Sequence, residues 1–169
     1  MRDGTSNVLL VDDEQAILDL MVDLVTDKSF KATACLSPFA ALELVKKDLD
    51  FFSAIVTDLK MPGMSGIELI AKVRDLGFDL PIVVVSGHLD QSLTIEALKL
   101  GAFDFISKPF DLNHFDKVVV EAVEQGEKLA QSFQEIEANH KTLGPEKIAE
   151  LKQFRKTMLS LRMQKKRTA

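Results

Sequence analysis

Apolar residues recur along this chain in two alternating rhythms. Short continuous runs at Val8–Val11, Ala54–Val56 and Ile82–Val85 carry no polar alternation, the pattern of strands buried on both faces of a parallel sheet. Lys31–Leu36 and Phe103–Ile106 are shorter or more mixed, which fits edge strands. Between these runs, three- and four-residue spacing predicts helices near 15–27, 38–47, 65–75, 91–100 and from 111 onward. Ser37-Pro38 reads as an N-cap with proline at the first helical position, and Ser65-Gly66-Ile67-Glu68 has capping-box spacing. Five β-α units of this size imply right-handed crossovers and a three-layer α/β sandwich. Ligands of such sheets bind outside the carboxyl ends of the strands.

Composition narrows the class. A chain of 169 residues suits one domain of ordinary size with a modest extension. No apolar run approaches the roughly 20 residues of a membrane span, and Met1–Asn7 lacks the apolar stretch of a secretory signal. Cys35 is the single cysteine, so an intrachain disulfide is excluded, the cytoplasm is the expected compartment and a buried structural thiol is the expected role. The net charge of −5 conceals an asymmetry: residues 141–169 hold nine Lys/Arg against Glu146 and Glu150, giving +7, and residues 1–140 hold −12. An acidic body with a basic tail suggests an interaction segment.

The candidate chemistry sits where the apolar runs end. Val11-Asp12-Asp13-Glu14, Val56-Thr57-Asp58-Leu59-Lys60-Met61-Pro62-Gly63 and Ser107-Lys108-Pro109 each follow a strand-like segment, and Ser86 closes another. Three carboxylates, an ammonium and a hydroxyl therefore fall at one edge of the sheet. Clustered carboxylates repel one another unless a cation offsets them. Hard oxygen donors on an open site favour Mg²⁺ completed by water and phosphate oxygens. A carboxylate can also attack phosphorus and form an aspartyl phosphate. Pro62-Gly63 suits a type II turn, with glycine supplying positive φ.

With those residues in place, the chain resembles the receiver domains of two-component response regulators, with spacing close to that of the single-domain chemotaxis members. The resemblance covers residues 6–125 and occupies every signature position; residues 126–169 form a helical, basic extension. It implies a flavodoxin-like (βα)₅ fold with strand order 2-1-3-4-5. It also implies that Asp58 is the phospho-acceptor, and that Asp13, Asp58 and the backbone carbonyl of Lys60 ligate Mg²⁺ directly, with Asp12 acting through water. Ser86 and Lys108 would contact the phosphoryl group, Ser86 and Phe105 would be the switch pair, and Lys108-Pro109 would be a cis bond. Phe105 lacks the hydroxyl of the commoner tyrosine, and a static core aromatic is its structural alternative. Lys60 and His88 match positions that flank the attacking water.

The implied partners are a sensor histidine kinase or phosphotransfer protein and a downstream protein effector, with a second copy of the chain as a further candidate and no membrane. The implied activity is a switch that catalyses only its own phosphorylation and dephosphorylation. An alternative is a transcriptional regulator whose basic tail binds DNA. A Mg²⁺-dependent phosphohydrolase of the haloacid-dehalogenase type is disfavoured, because Lys60 stands where those enzymes place a second acid.

The extension reads as two helical segments, from Glu127 to about Thr142 and after Pro145, separated by Leu143-Gly144-Pro145. Ile148, Leu151, Phe154, Met158 and Leu161 make an apolar stripe in the second. Phe115, Ala122, Leu129, Ile136 and Leu143 recur every seven residues, but the companion positions Val118, Gln125, Ser132 and Asn139 are mostly polar and give little support to a coiled coil. Folding back onto the body, docking on a partner or a second copy, and binding nucleic acid or an anionic membrane surface are the readings of the tail, the membrane being disfavoured by the lack of any Trp and by apolar positions of only moderate size. No helix-turn-helix is apparent.

Overall fold

The computed structural model describes residues 5–48, 50–87 and 91–139. Five strands, β1 (Asn7–Val11), β2 (Lys31–Cys35), β3 (Ala54–Asp58), β4 (Ile82–Ser86) and β5 (Asp104–Ser107), alternate with five helices. The helices are α1 (Gln15–Asp27), α2 (Pro38–Lys47), α3 (Gly66–Asp75), α4 (Gln91–Lys99) and α5 (Leu112–Asn139). The sheet is parallel throughout in the order β2-β1-β3-β4-β5, the flavodoxin-like arrangement expected.

Strand alternation explains the layering. Leu9, Val11, Ile55, Ile82 and Val84 point to one face and pack with Leu42, Val45, Ile70, Val73 and Ala97 of α2, α3 and α4. Val8, Leu10, Val56, Val83 and Val85 point to the other and meet Leu18, Met21 and Val25 of α1 and Phe115, Val119 and Ala122 of α5. Every residue of β1, β3 and β4 is buried, whereas β2 and β5 are partly exposed. The three continuous apolar runs are thus the central strands and the two mixed segments are the edges.

Local signals account for most element ends. Ser65 accepts from the Glu68 N–H while the Glu68 carboxylate accepts from Ser65, a complete capping box. Pro38 opens α2 as expected, but the Ser37 side chain makes no capping bond. Gly63 has φ +79°, as the turn after Pro62 requires.

α5 is one uninterrupted helix of 28 residues. The boundary expected after Gln125 falls inside it. The helix passes the sheet at Gly126, where a Cβ would lie 1.9 Å from the Ser53 carbonyl oxygen; only glycine lets the backbones approach this closely. The Ser6 hydroxyl donates to the Glu127 carboxylate beside that crossing. The second tail helix, its apolar stripe, Leu143 of the seven-residue pattern and His88 all lie outside the described residues.

Candidate functional site

Asp12 immediately follows β1, Asp58 ends β3, Ser86 ends β4 and Lys108 follows β5, so parallel register brings four strand ends to one edge. Lys108 prolongs the β4–β5 pairing: its N–H donates to the Ser86 carbonyl at 2.8 Å, one step beyond the Ser86–Ser107 register pair. The Lys108-Pro109 bond is cis.

Asp12 and Asp58 are built alike. One oxygen of each carboxylate turns back onto the backbone two residues ahead: Asp12 Oδ1 accepts the Glu14 N–H at 2.9 Å, and Asp58 Oδ2 accepts the Lys60 N–H at 2.7 Å. This Asx-type bond fixes the carboxylate plane. The other oxygen of each faces the same ammonium, with Lys108 Nζ 2.6 Å from Asp12 Oδ2 and 3.1 Å from Asp58 Oδ1. The side chains of Asp12, Asp58 and Lys108 are 0%, 8% and 13% exposed, so the triad is desolvated. Glu14 Oε1 lies 3.9 Å from the ammonium on the solvent side.

Electrostatics follow from that burial. The Asp58 carboxyl is pushed up from its ordinary 3.8 because desolvation outweighs the Lys108 bond and charge and the Lys60 N–H, with Asp12 adding repulsion. Desolvation acts to lower Lys108, but the bonds and charges of Asp12 and Asp58 together exceed it and the net direction is upward from 10.5. The ammonium is therefore held charged between the carboxylates.

The expected site residues divide into groups. Asp12, Asp58 and Lys108 are in direct contact, and Ser86 is buried at the adjoining strand end. Asp13 is exposed and, with Lys60, Met61, Glu68 and Leu93, lines a cleft of about 670 Å³ beside the triad. Phe105 is half-buried against the α2–α3–α4 side of the sheet. Among the described residues, no three acids, histidines or cysteines are drawn together as a preformed metal cage.

Two contributors escape a reading of motifs alone. Gly66 lets the start of α3 press on β3: a Cβ there would sit 2.1 Å from the Asp58 carbonyl oxygen and 3.0 Å from Leu59 Cα. Its place in the capping box marked a helix start but not this close approach. Arg74, on the buried stripe with Ile70 and Val73, is itself buried and donates to the carbonyls of Phe78, Leu80 and Gly101 at 3.0, 2.8 and 2.7 Å. A charge on an apolar helix face was the available signal.

Comparison with known proteins agrees with this geometry. Residues 8–120 match the response regulator receiver domain family. The chain is 37% identical over 118 residues to the transcriptional regulatory protein FixJ of Rhizobium meliloti, covering 70% of this chain and 55% of that protein. It is 33% identical over 142 residues to FixJ of Bradyrhizobium diazoefficiens, covering 82% and 68%. The crystal structure of FixJ-N superposes with a TM-score of 0.62 at 37% identity, covering 76% of this chain and 96% of that one. The chain thus spans about half the length of the first of these regulators. With the family match, the strand order and the acid–lysine edge in agreement, the chain belongs to the response regulator receiver domains of two-component signalling.

Proposed function

We propose that Asp58 is the phosphoryl acceptor and that the protein acts as a Mg²⁺-dependent switch. The observation that carries this reading is the Asp58–Lys108–Asp12 contact: a buried carboxylate at a strand end, held by its own loop and faced by a fixed ammonium. The donor set suits Mg²⁺, which is satisfied by one or two carboxylates plus waters and phosphate oxygens and needs no all-protein cage. Asp12, Asp13, Asp58 and the Lys60 carbonyl are the residues that would hold it. Once bound, the ion supplies charge neutralisation between the carboxylates and the incoming phosphoryl group.

Asp58 attacks the phosphorus of a phosphohistidine on a sensor kinase or phosphotransfer protein. An O–P bond forms, the P–N bond breaks and the imidazole leaves with a proton from solvent. Lys108, already charged and pointed at Asp58, pairs with the phosphoryl oxygens, and Ser86 approaches them from the next strand. The added 1.5–2 negative charges, roughly, draw Ser86 and Lys108 inward and bias Phe105 and the α4–β5–α5 surface toward a second packing that an effector reads. The chain is a self-phosphorylating switch in the cytoplasm and turns over no diffusible substrate beyond its phosphodonor.

Intact mass after incubation with acetyl phosphate and Mg²⁺ tests the acceptor. A gain of one phosphoryl group, absent in Asp58→Asn and in EDTA, is the expected result. No gain by the folded parent, or an equal gain by the variant, would remove Asp58 from this role.

Two observations favour a second reading: the FixJ relatives are named as transcriptional regulatory proteins, and residues 141–169 carry +7. On this reading the basic segment contacts DNA, and binding would weaken steeply with salt.

A further inference from the structure

The loop that follows Asp58 is fixed at both ends and bare of backbone bonds between them. The Lys60 N–H donates to Asp58 Oδ2 at 2.7 Å, and the Gly66 N–H donates to the Leu59 carbonyl at 2.9 Å. Among the described residues, no backbone hydrogen bond involves Met61, Pro62, Gly63 or Met64. Side-chain packing must therefore place this stretch. Met61 and Met64 are buried on the α2–α3–α4 side of the sheet, whereas Pro62 and Gly63 form an exposed tip.

One ring from α2 reaches that tip. The buried stripe of α2 is Pro38, Ala41, Leu42 and Val45. Phe39 lies off this stripe and is 53% exposed, so the core does not call for it. A single exposed aromatic is ordinary in itself; what its covered half touches is informative. A Cβ on Gly63 would lie 2.9 Å from Phe39 Cε2 and 3.4 Å from Cζ. The ring thus rests on the bare face of the glycine whose φ of +79° turns the loop.

The consequence runs back to the carboxylate. Lys60 joins Asp58 and Leu59 to the unbonded stretch, and its N–H fixes the plane of the Asp58 carboxylate. Its carbonyl belongs to the peptide it shares with Met61, the first residue without a backbone partner. If the tip shifts, that peptide shifts with it, and a displacement near 1 Å at a reacting group can cost about a hundredfold in rate.

We propose that Phe39 is a positioning residue for phosphoryl transfer: braced on Gly63, its ring holds residues 61–64 and through them the Lys60 peptide that orients Asp58. The inference rests on the reading of Asp58 as the acceptor. It makes the start of α2 part of the site's support without any contact to the reacting group.

The test compares the full chain with Phe39→Ala and Phe39→Tyr, the second of which keeps the ring. Uptake from acetyl phosphate at saturating Mg²⁺ is followed by intact mass. Trypsin cleavage between Lys60 and Met61, timed by mass spectrometry, reports opening of the loop independently of phosphorylation. Phe39→Ala should take up phosphoryl roughly tenfold or more slowly and be cut at Lys60 several-fold faster. Its cleavage at Lys46 and Lys72, in helices α2 and α3, should stay at the parent's rate, and Phe39→Tyr should restore both readouts. Parental uptake and Lys60 cleavage in Phe39→Ala would overturn the proposal. So would equal acceleration at Lys46, Lys72 and Lys60, which would make Phe39 a residue of general stability, or failure of the tyrosine to rescue. Absence of uptake by the parent would instead defeat the acceptor reading, while Lys60 cleavage would still decide whether Phe39 braces the loop.

Discussion

Lys108 Nζ lies 2.6 Å from the fully buried Asp12 Oδ2, a shorter contact than its 3.1 Å approach to Asp58 Oδ1. The ammonium thus serves as the counter-ion of both carboxylates at once. Lys108→Met leaves two buried anions without it, and breaking such a pair costs on the order of 3 kcal/mol. The variant should melt below the parent, and millimolar Mg²⁺ should raise its midpoint more than the parent's. Acid should help as well. Asp58 already has a raised pKa, so its favourable contribution exists below the unfolded value near 3.8 and is lost as pH rises through the folded value. Without Lys108 that folded value rises further, and thermal scans from pH 7 to pH 5 should show the deficit narrowing. A variant with parental stability at pH 7 would mean that the ammonium is not the counter-ion.

Arg74 poses the converse problem, a buried cation held by carbonyls. Burial lowers its guanidinium to about 10, the Asp79 charge opposing, and three loop carbonyls depend on it. Arg74→Met removes the desolvation cost but strands those acceptors, and each unsatisfied buried group costs about 1–3 kcal/mol. Net destabilisation of about 3 kcal/mol is expected by urea titration. Because the Gly101 carbonyl is one of the three, exchange of amides in the 100–103 turn should accelerate before global unfolding. Equal protection there would separate Arg74 from the α4–β5 connection.

The sequence made the layers legible because burial on both faces leaves an unbroken apolar run, as at Ile82–Val85, whereas an edge strand such as Lys31–Cys35 keeps polar positions. The site was legible for the same reason: Asp12, Asp58 and Lys108 interrupt or close those runs, and parallel order puts their ends together. Contacts set by backbone approach were not. Nothing in the residue order tells that Gly126 meets Ser53, or that Asp12 and Asp58 use the same two-residue-ahead bond. Helix continuity through Gly126 was also hidden, since glycine ordinarily marks a helix end; here the close crossing demands it.

Cys35 gives a pH prediction free of the site. Its thiol is buried and pushed above its ordinary 9.0 by desolvation. A raised folded pKa means that the stabilising contribution is full below the unfolded value and declines as pH rises through the folded one. Native protein at pH 8 should therefore react with iodoacetamide far more slowly than urea-unfolded protein. Cys35→Ala should lose less stability than the parent between pH 8.5 and pH 10, roughly the range in which an unfolded thiol ionises. Rapid native alkylation would place the thiol at the surface.

Gly66 and Gly126 are both crowded by a carbonyl, yet their substitution should give different phenotypes. A Cβ on Gly66 would lie 2.1 Å from the Asp58 carbonyl, so Gly66→Ala must push the start of α3 away from the very strand end that presents the carboxylate. A Cβ on Gly126 would lie 1.9 Å from the Ser53 carbonyl, at the opposite edge of the sheet. Overpacking of either kind costs about 1–3 kcal/mol, so similar losses in chemical denaturation are expected. The distinction lies in phosphoryl uptake from acetyl phosphate. A displacement near 1 Å at a reacting group can cost about a hundredfold in rate, so Gly66→Ala should be severely slowed while Gly126→Ala should retain uptake within a few-fold of the parent. Equal impairment of the two would mean that the β3–α3 approach does not position Asp58, and that both glycines serve only packing.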